Sequence, residues 1–291
     1  MRVFLTGATG FVGTHLRRVL VGAGHTVVGL ARRAQPEETG VTWIAGGLEQ
    51  EPALLAGMAD CGAVIHLVGI IREAGAQTFE QVHVRGTAQV LAAMQRAGVS
   101  RLLQMSALGA GPDQTTGYYR TKWAAEELVR AAGFDYTIFR PSLIFGPGDG
   151  FINTLVAQLR AYPVIPIIGA GDYTFAPISV HAVCAAFTQA LELDGPTKAA
   201  TFSLCGPEVL TYRRILDLLA HRLRIRKPRL HIPVAAMSLL IRLGELLHLP
   251  LPITRDQMTM LLLGNVCPDD AAGKVFTLPK ITLAEGIAEY L

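Results

Sequence analysis

Short apolar segments alternate with longer segments of helical periodicity along the first half of the chain. The apolar segments have the length and the β-branched or aromatic residues of buried strands, and they are residues 2–5, 25–31, 41–44, 63–68 and 101–105. The helical segments are residues 15–23, 54–58, 79–97 and 117–128. Strands that alternate with helices predict an α/β fold, in which a parallel sheet is covered on both faces and binds ligands at the carboxyl ends of its strands.

The first thirteen residues combine the first predicted strand with a glycine-rich turn and the start of a helix. Gly7 would form the tight turn, Gly10 would let the backbone approach a pyrophosphate, and Gly13 would let the helix pack closely on the strand. The helix N-terminus would then present unpaired N–H groups and a partial positive charge to the phosphates. A glycine triplet also occurs in purely structural turns, but the strand–turn–helix context favours a Rossmann-type, doubly wound sheet that binds a dinucleotide. The residues predicted to bind it here are Gly7, Thr9, Gly10, Phe11, Val12 and Gly13.

The end of the second predicted strand indicates which dinucleotide is bound. An acidic residue there would bind the 2′-hydroxyl of the NAD ribose, but the chain has Ala31 followed by Arg32 and Arg33. A guanidinium group suits a phosphate and cannot accept a hydroxyl proton. We therefore predict NADP(H) rather than NAD(H), with both arginines as cofactor-binding residues. The alternative is that the two arginines are simply solvated at the end of a strand.

Tyr118 and Lys122 lie four residues apart in the predicted helix 117–128 and therefore share one face of it. A lysine charge beside a phenol favours the phenolate and lowers a pKa that is about 10 in water. Such a tyrosine can donate or accept a proton near neutral pH, which carbonyl–alcohol chemistry requires alongside hydride transfer. The pair alone is commonplace, but here it follows the nucleotide turn and lies one strand-to-helix step after Ser106. We predict Tyr118, Lys122 and Ser106 as the catalytic residues.

The second half of the chain is less regular than the first. Past Gly146 the pattern predicts a helix at 151–160, a strand at 176–180 that returns to the sheet, a further strand at 201–204 and a helix at 212–221. We therefore predict two interleaved domains. The first is a Rossmann domain of residues 1–146, to which residues 176–204 return, and the second is a smaller C-terminal substrate-binding lobe of residues 147–175 and 205–291.

Composition and charge exclude several classes of protein. With 51% hydrophobic and 17% charged residues the chain is too apolar to be disordered, and a net charge of +3 gives no argument for nucleic acid. We see no N-terminal targeting signal and no apolar run of the roughly 18 residues that span a bilayer. These features favour a cytoplasmic protein.

The cysteines and histidines predict neither a disulfide framework nor a metal site. Cys61, Cys184, Cys205 and Cys267 are far apart and form no C-x-x-C pair. We expect reduced and mostly buried thiols, as in a cytosolic protein. The histidines show no metal-binding spacing, and no metal is predicted.

Residues 222–249 form a strongly basic segment followed by an apolar, mostly helical run. One interpretation is a solvated edge followed by a helix packed in the core, since the run is too short to span a membrane. A second is peripheral attachment to anionic lipid or to a membrane complex, for which basic residues beside an apolar helix are typical. A third is that the arginines bind a substrate phosphate.

Three motifs together resemble the short-chain dehydrogenase/reductase family in its extended or atypical branch, which is NAD-dependent epimerase/dehydratase-like. They are the turn 6–13, the Tyr118-x-x-x-Lys122 pair and the segment 140–147, which occur in the family's order. Segments 64–71, 106–110, 205–211 and 254–266 further resemble the group around the nucleotide-binding accessory subunit of respiratory complex I, of the alpha-subcomplex subunit nine type. The likeness covers essentially the whole chain.

The resemblance implies that NADP(H) lies over the carboxyl edge of the sheet, with Tyr118 as the acid/base. Lys122 would hold the nicotinamide ribose and tune the tyrosine. The remaining cofactor-binding residues that it implies are Leu67, Val68 and Gly69 near the adenosine and its phosphates, Pro141 to Leu143 near the nicotinamide, and Met105.

The chain also departs from this family's pattern. Ala107 stands where many active relatives have a second serine, His83 where an asparagine is common, Gly47 where an aspartate usually approaches the adenine, and His181 where an aspartate often follows the returning strand. The cofactor site therefore looks nearly complete, whereas the catalytic site looks thinned.

Two functions remain open from the sequence. The first is an NADP(H)-dependent oxidoreductase, or a related epimerase or dehydratase, that acts on a small carbonyl, alcohol or sugar-nucleotide-like substrate. The second is a weakly catalytic or non-catalytic NADP(H)-binding accessory protein that assembles with a membrane redox complex, in which case the protein would lie peripherally on the inner face of a membrane. Neither the substrate nor the oligomeric state follows from the sequence.

Overall fold

A computed structural model describes residues 1–193, 195–247 and 253–291. Its strands are β1 (Arg2–Thr6), β2 (Thr26–Ala31), β3 (Val41–Ala45), β4 (Ala63–His66), β5 (Arg101–Met105), β6 (Asp135–Pro141), β7 (Ile144–Phe145), β8 (Ile165–Ile168), β9 (Thr174–Phe175), β10 (Ile178–Ser179), β11 (Ala200–Leu204), β12 (Leu210–Thr211) and β13 (Arg229–Ile232). Its helices are α1 (Phe11–Gly22), α2 (Glu51–Met58), α3 (Gly86–Ala97), α4 (Gly117–Ala131), α5 (Phe151–Ala161), α6 (Val180–Glu192), α7 (Tyr212–Arg222), α8 (Val234–Leu246), α9 (Arg255–Leu263), α10 (Ala271–Val275) and α11 (Leu283–Ile287). A π-helical segment, Glu80–Arg85, leads directly into α3.

The central sheet has seven strands in the order β11-β6-β5-β4-β1-β2-β3, and all neighbours are parallel. The chain order runs outward from β1 in both directions, so the topology reverses between β1 and β4. In doubly wound sheets the ligand crevice lies at the carboxyl ends of the strands at this reversal. The predicted α/β fold with a Rossmann-type parallel sheet is confirmed.

Both faces of the sheet are buried, which explains why its strands are continuous apolar runs. On one face Phe4, Val64 and Leu102 are register neighbours and pack with side chains from α2, α3 and α4. The alternate residues Val3 and Leu5 point to the other face and are equally buried. The helices therefore cover both faces of the sheet.

The described chain divides into two compact units. The first unit comprises residues 1–141, 180–204 and 268–279, and the second comprises residues 142–179, 205–267 and 280–291. The domain boundaries predicted from the sequence placed 142–146 and 176–179 with the first and 268–279 with the second. They differ from the two units in those three segments.

The second unit is built around its own apolar cluster. Side chains from α5, β8, α7 and α11 form this cluster, with Ile152, Ile167, Ile215 and Leu283 fully buried. Its strands pair in twos: β7 with β10 and β8 with β13 in parallel, and β9 with β12 antiparallel.

One prediction about strands in this region is wrong, and one strand was not predicted. The strand predicted at 176–180 does not return to the central sheet, because its extended part, β10, pairs with β7 in a two-stranded sheet of the second unit. Strand β13 was not predicted, because its alternation of polar and apolar residues is only four residues long and lies within a basic segment. Local periodicity indicates that a segment is extended but does not identify its pairing partner. The apolar run that ends the segment 222–249 begins at Val234; part of it forms α8, and His248 and Leu249 lie outside the described residues.

The prediction of four reduced cysteines is also wrong. Cys205 and Cys267 form a disulfide across 62 residues of sequence. The chain at 175–177 brings them together, because Ala176 donates its N–H to the Asn265 carbonyl (2.9 Å) and accepts from Gly206 N–H (3.1 Å). Cys61 and Cys184 are buried free thiols, as expected. The argument from free thiols for a reducing compartment therefore fails for one pair.

None of the helices described here has the length and apolar character that crossing a bilayer requires.

Candidate dinucleotide and catalytic site

The glycine turn after β1 has the geometry that the sequence predicts. Gly7 adopts φ +74°, which disfavours any residue with a side chain. A Cβ added at Gly13 would lie 2.1 Å from the Gly7 carbonyl oxygen, so α1 approaches the turn too closely for a side chain. Gly10 closes the turn by donating its N–H to the same carbonyl at 3.0 Å. Glycine is thus required at Gly7 and Gly13 by the backbone itself.

The N-terminus of α1 is open to a ligand. The helix begins at Phe11, and Thr9 and Gly10 before it are exposed. The first N–H groups of a helix have no acceptor within it, and no acidic side chain in the first turn of α1 competes for them. This arrangement suits an anion such as a pyrophosphate.

Arg17, which sequence reasoning missed, stabilises the glycine turn through a hydrogen bond to its backbone. Its guanidinium donates to the Ala8 carbonyl (2.7 Å) and pairs with Glu38 (2.8 Å), and it lies over the ring of Trp43. An arginine nearly two turns into the helix is a weak signal in a single sequence, because its partners come from distant segments.

The crevice between β1 and β4 is narrow. A Cβ at Gly7 would lie 3.2 Å from Leu67 and from the Val68 nitrogen. Leu67 is buried, Val68 is half-buried and Gly69 is exposed, so the loop after β4 rises from the core towards solvent. The structure thus brings this loop against the glycine turn, as expected for residues on either side of a dinucleotide.

Arg32 and Arg33 follow β2 directly and are exposed. The last residue of β2, Ala31, is buried and carries no carboxylate that could bind a ribose hydroxyl. No side-chain partner holds either guanidinium within the described part of the chain. Both arginines are therefore available to an added charge.

Helix α4 places Tyr118 and Lys122 on one face. Thr116 caps the helix by accepting from the Tyr119 N–H at 3.2 Å. Lys122 is 4% exposed and donates from Nζ to the carbonyl of Met105, at the end of β5, at 3.2 Å. Burial lowers the pKa of Lys122 to about 8. A Cβ at Gly69 would lie 2.8 Å from Lys122 Nζ, so the lysine ends where the loop after β4 passes.

The pKa of Tyr118 shifts in the direction opposite to the one expected. Burial of the phenol raises this pKa, and the neighbouring Tyr119 adds to the shift. The expected depression depended on the lysine charge, but Lys122 directs its ammonium group at the Met105 carbonyl. Phe79 and His83 also surround the Tyr118 ring, at centroid distances of 5.8 and 5.5 Å. The phenol is therefore held protonated.

Ser106 follows β5 and is 4% exposed. Its backbone N–H donates to the Phe139 carbonyl at 2.7 Å, whereas its buried Oγ has no hydrogen-bond partner among the described residues. An unsatisfied buried hydroxyl is unusual and calls for an explanation such as a ligand. Ala107 beside it is buried and offers no hydroxyl.

His83 connects three elements of the site. Its Nε2 accepts from the Ile70 N–H (3.1 Å), and its Nδ1 lies 2.9 Å from Oγ1 of Thr121, which itself donates to the Gly117 carbonyl (2.8 Å). This pattern requires a neutral ring that carries its proton on Nδ1. Burial, with the charge of Lys122 in second place, lowers the pKa of His83 to about 2. The ring thus connects the loop after β4 to α4 through hydrogen bonds. His83 lies in a π-helical segment, and such segments are frequent at functional sites.

His66 forms a second buried polar group at the end of β4. Its Nδ1 lies 2.6 Å from Thr6 Oγ1, and its Nε2 is buried without a partner among the described residues. Burial and then the Lys122 charge lower the pKa of His66 to about 3.

Glu126, also missed from the sequence, fixes α4 to the sheet. It is fully buried and accepts from Arg140 at the end of β6 (2.8 Å) and from Arg130 one helical turn on (2.5 Å). Both guanidinium groups also lie over the ring of Trp123. The i, i+4 spacing of Glu126 and Arg130 is the only one of these signals present in the local sequence.

The remaining predicted residues divide between the units. Pro141 ends β6 in the first unit, whereas Leu143 belongs to the second. In the described chain, no group of three His, Cys, Asp or Glu side chains is arranged to hold a metal ion.

Comparison with known proteins places this chain in a family. Residues 3–204 match the sequence model described as the NAD dependent epimerase/dehydratase family. The chain belongs to this family. Its members bind a nicotinamide dinucleotide, in agreement with the strand–turn–helix geometry at β1 and α1.

Two relatives in the family show how broad it is. One is "NADH dehydrogenase [ubiquinone] 1 alpha subcomplex subunit 9, mitochondrial" of Arabidopsis thaliana, 30% identical over 87% of this chain and 66% of that protein. The chain thus spans slightly less than two thirds of this relative. The other is "4-hydroxy-2-methyl-3-oxo-4-farnesyl-3,4-dihydroquinoline-1-oxide ketoreductase" of Stigmatella aurantiaca, 30% identical over 84% of this chain and 80% of that protein.

Solved structures agree on the fold. UDP-glucuronic acid 4-epimerase from Bacillus cereus, in complex with UDP-glucuronic acid and NAD, superposes with a TM-score of 0.80. The match covers 99% of this chain and 97% of the epimerase at 17% identity. At this identity the likeness concerns the fold alone.

The residues of this epimerase/dehydratase-family chain fit a nicotinamide dinucleotide. Gly7, Gly10 and Gly13 carry no side chains at the turn, and the N-terminus of α1 is exposed beside it. Lys122 offers a buried ammonium group, and Ser106 offers a buried hydroxyl with no partner among the described residues. Arg32 and Arg33 stand at the strand end where the adenosine ribose is expected.

The neutral state of His83 predicts a pH dependence of stability. With a pKa of about 2 in the folded chain and 6.5 as its ordinary value, His83 takes up a proton on unfolding below pH 6.5. Its contribution to the free energy of unfolding is therefore complete above pH 6.5 and falls by about 1.4 kcal/mol per pH unit as the pH drops. We expect the free energy of unfolding, measured with urea, to fall between pH 6.5 and about pH 5 in both proteins. The fall should be about 2 kcal/mol smaller for His83→Gln than for the native chain. Equal losses in the two proteins would show that His83 is charged when folded.

Proposed function

We propose that the chain is an NADP(H)-dependent oxidoreductase of the extended or atypical short-chain dehydrogenase type, with Tyr118 as the acid/base. The observation that carries this proposal is the placement of Tyr118 and Lys122 by α4. Lys122 ends between the Met105 carbonyl and the loop at Gly69, and Tyr118 lies one turn earlier on the same face. Catalytic residues set at the carboxyl edge of a parallel sheet, downstream of a dinucleotide turn, are what hydride transfer to a carbonyl requires.

The chain's own residues would hold the dinucleotide in three places. The turn from Gly7 to Gly13 and the first N–H groups of α1 would bind the pyrophosphate, and Lys122 would bind the nicotinamide ribose. The loop from Leu67 to Gly69 would cover the adenosine side. When bound, NADP(H) supplies or takes up the hydride.

Burial holds Tyr118 in its protonated form, which is the form that an acid in carbonyl reduction needs. A phenol held protonated by burial can donate its proton to a carbonyl oxygen while the adjacent carbonyl carbon gains the hydride. Lys122 is charged below about pH 8, but its ammonium group is directed at the Met105 carbonyl, so its proposed role is to hold the nicotinamide ribose rather than to lower the Tyr118 pKa. The unpaired Ser106 hydroxyl would donate to the same carbonyl oxygen and polarise it.

A carbonyl substrate is supported by one relative. The Stigmatella aurantiaca protein is named a ketoreductase, and the resemblance extends over four fifths of its length. We therefore propose a small keto compound or the corresponding alcohol. A sugar-nucleotide-like substrate is the alternative within the same chemistry, which would require a transient keto intermediate.

The isotope of the transferred hydrogen tests this function. NADPH deuterated on the nicotinamide, incubated with the chain and a metabolite extract, should label one product, because hydride transfer leaves the deuterium on carbon. Tyr118→Phe should lower the rate of labelling at least about a hundredfold, since general acid catalysis contributes that much. Tyr119→Phe is the matched control, which removes the same atom from the adjacent residue. Labelling that survives in Tyr118→Phe would exclude Tyr118 as the acid.

The preference for NADP(H) rests on Arg32 and Arg33, both exposed at the end of β2 with no acidic residue there. A guanidinium–phosphate bond is charge-assisted and contributes about 1.5–3 kcal/mol. We expect Arg32→Ala to weaken NADPH binding about tenfold or more and to leave NADH binding within about twofold, as measured by isothermal titration. Arg18→Ala, on the preceding helix, is the control for a general loss of positive charge. Equal weakening of both cofactors by Arg32→Ala would contradict a role in recognising the 2′-phosphate.

The second candidate function is a weakly catalytic or non-catalytic NADP(H)-binding accessory protein of a membrane redox complex. The relative from Arabidopsis thaliana, named as a subunit of NADH dehydrogenase, favours it. Ala107 in place of a second serine also favours it, because it offers no hydroxyl beside that of Ser106. Tight NADPH binding without any label transfer would support this candidate. We propose a cytoplasmic location, with a peripheral position on a membrane under the second function.

A further inference from the structure

Helix α8 in the second unit has two apolar faces. On one side Ile241 is 2% exposed and Met237 packs against the core of the unit. On the other side Leu239, Leu243 and Leu246 are 58%, 47% and 73% exposed. The sequence interpretation of α8 as a core helix therefore accounts for only one of its faces.

The exposed leucines form a continuous stripe. Leu240 and Leu247, the latter one residue past the end of α8, are also exposed, at 51% and 63%, and extend this surface on one side. At about 100° per residue, the five side chains fall within about 120° of the helix circumference. We call these five residues, 239, 240, 243, 246 and 247, the leucine stripe. Contiguous exposed apolar surface of this kind marks a site of interaction with a protein or a membrane.

Positive charge borders the leucine stripe. Arg242 follows on the same helix, about 40° from Leu246, and is exposed with no ion-pair partner in the described part of the second unit. It lines a small cleft together with Ser238, Ile241, Met258 and Arg255. Arg255 pairs with Glu245 at 2.8 Å, so Arg242 is the cation of this cleft that remains available.

The preceding basic segment contributes less charge than its sequence suggests. Lys227 donates to the carbonyls of Leu159 (2.7 Å) and Tyr162 (2.6 Å), and Arg229 pairs with Asp217. Both side chains thus serve the structure of the unit. Arg224 and Arg226 are exposed and remain as further cations near the start of α8 in sequence.

We propose that α8 docks the second unit on an anionic phospholipid surface. The leucine stripe would enter the boundary between headgroups and acyl chains, and Arg242 would bind lipid phosphates at its border. The stripe consists of leucine alone, whereas the cores of protein–protein interfaces are enriched in aromatic residues. Aliphatic side chains on a helix bordered by cations suit a lipid interface, because burial and charge then act together. This proposal does not rest on the oxidoreductase function; under the accessory function, which places the chain at a membrane, it names α8 as the element that docks there.

The test is flotation of the full chain with vesicles of phosphatidylcholine alone or mixed with phosphatidylglycerol. We expect the mixed vesicles to retain the native chain at low salt and phosphatidylcholine vesicles to retain much less. The triple variant Leu239→Gln, Leu243→Gln, Leu246→Gln should bind the mixed vesicles at least about a hundredfold more weakly, since each leucine withdrawn from lipid contributes about a factor of ten. Val209→Gln, which alters a residue of the second unit that is 58% exposed and lies outside α8, should bind as the native chain does.

Arg242→Gln separates the charge from the leucines. We expect it to weaken binding to the mixed vesicles about fivefold, with a smaller difference at high salt, because a basic residue near such a surface contributes about that much. Circular dichroism of every variant checks that the fold is retained. Failure of the mixed vesicles to retain the native chain at low salt would overturn the proposal, as would retention of the triple variant at the native level. A native dimer that the triple variant converts to a monomer, without vesicle binding, would assign the stripe to a second copy of the chain and overturn it too.

Discussion

The cofactor site depends on one close approach between backbone atoms. Gly13, in the first turn of α1, lies so near the Gly7 carbonyl that a Cβ there would be 2.1 Å from the oxygen. This approach brings the N-terminus of α1 directly over the end of β1, beside the crevice at β4 where the sheet reverses its topology. A helix displaced outward by a side chain would carry its unpaired N–H groups away from that crevice. The absence of two side chains therefore determines where a pyrophosphate can bind.

The residues proposed for catalysis are positioned by buried polar groups. Glu126, held by two arginines, fixes α4 to β6, and α4 in turn presents Tyr118 and Lys122. Burial lowers the pKa values of Lys122 and His83 and raises that of Tyr118, so each group is biased towards its uncharged form. Such environments are typical of functional sites, although structural networks also produce them. Here the biased groups meet at the strand ends where a dinucleotide fits.

The parallel sheet, the glycine turn and the shared face of Tyr118 and Lys122 could be predicted because each depends on residues close in sequence. The hydrogen bonds of His83 to Thr121 and to Ile70 join three separate segments. The two cysteines of the Cys205–Cys267 disulfide are brought together by backbone hydrogen bonds to Ala176, which is distant from both in sequence. No spacing along the chain reveals such contacts. The pKa of Tyr118 was predicted in the wrong direction for the same reason. The four-residue spacing gives the helix face, whereas the direction of the Lys122 ammonium group depends on the Met105 carbonyl.

The most direct test of the dinucleotide site is a crystal structure of the chain grown with NADPH. We expect the pyrophosphate over the first turn of α1, within hydrogen-bond distance of the N–H groups of Phe11 and Val12. The nicotinamide ribose should lie at Lys122 Nζ, and the 2′-phosphate should lie at Arg32 or Arg33. A dinucleotide bound away from the glycine turn, or none at saturating NADPH, would contradict the site described for this chain.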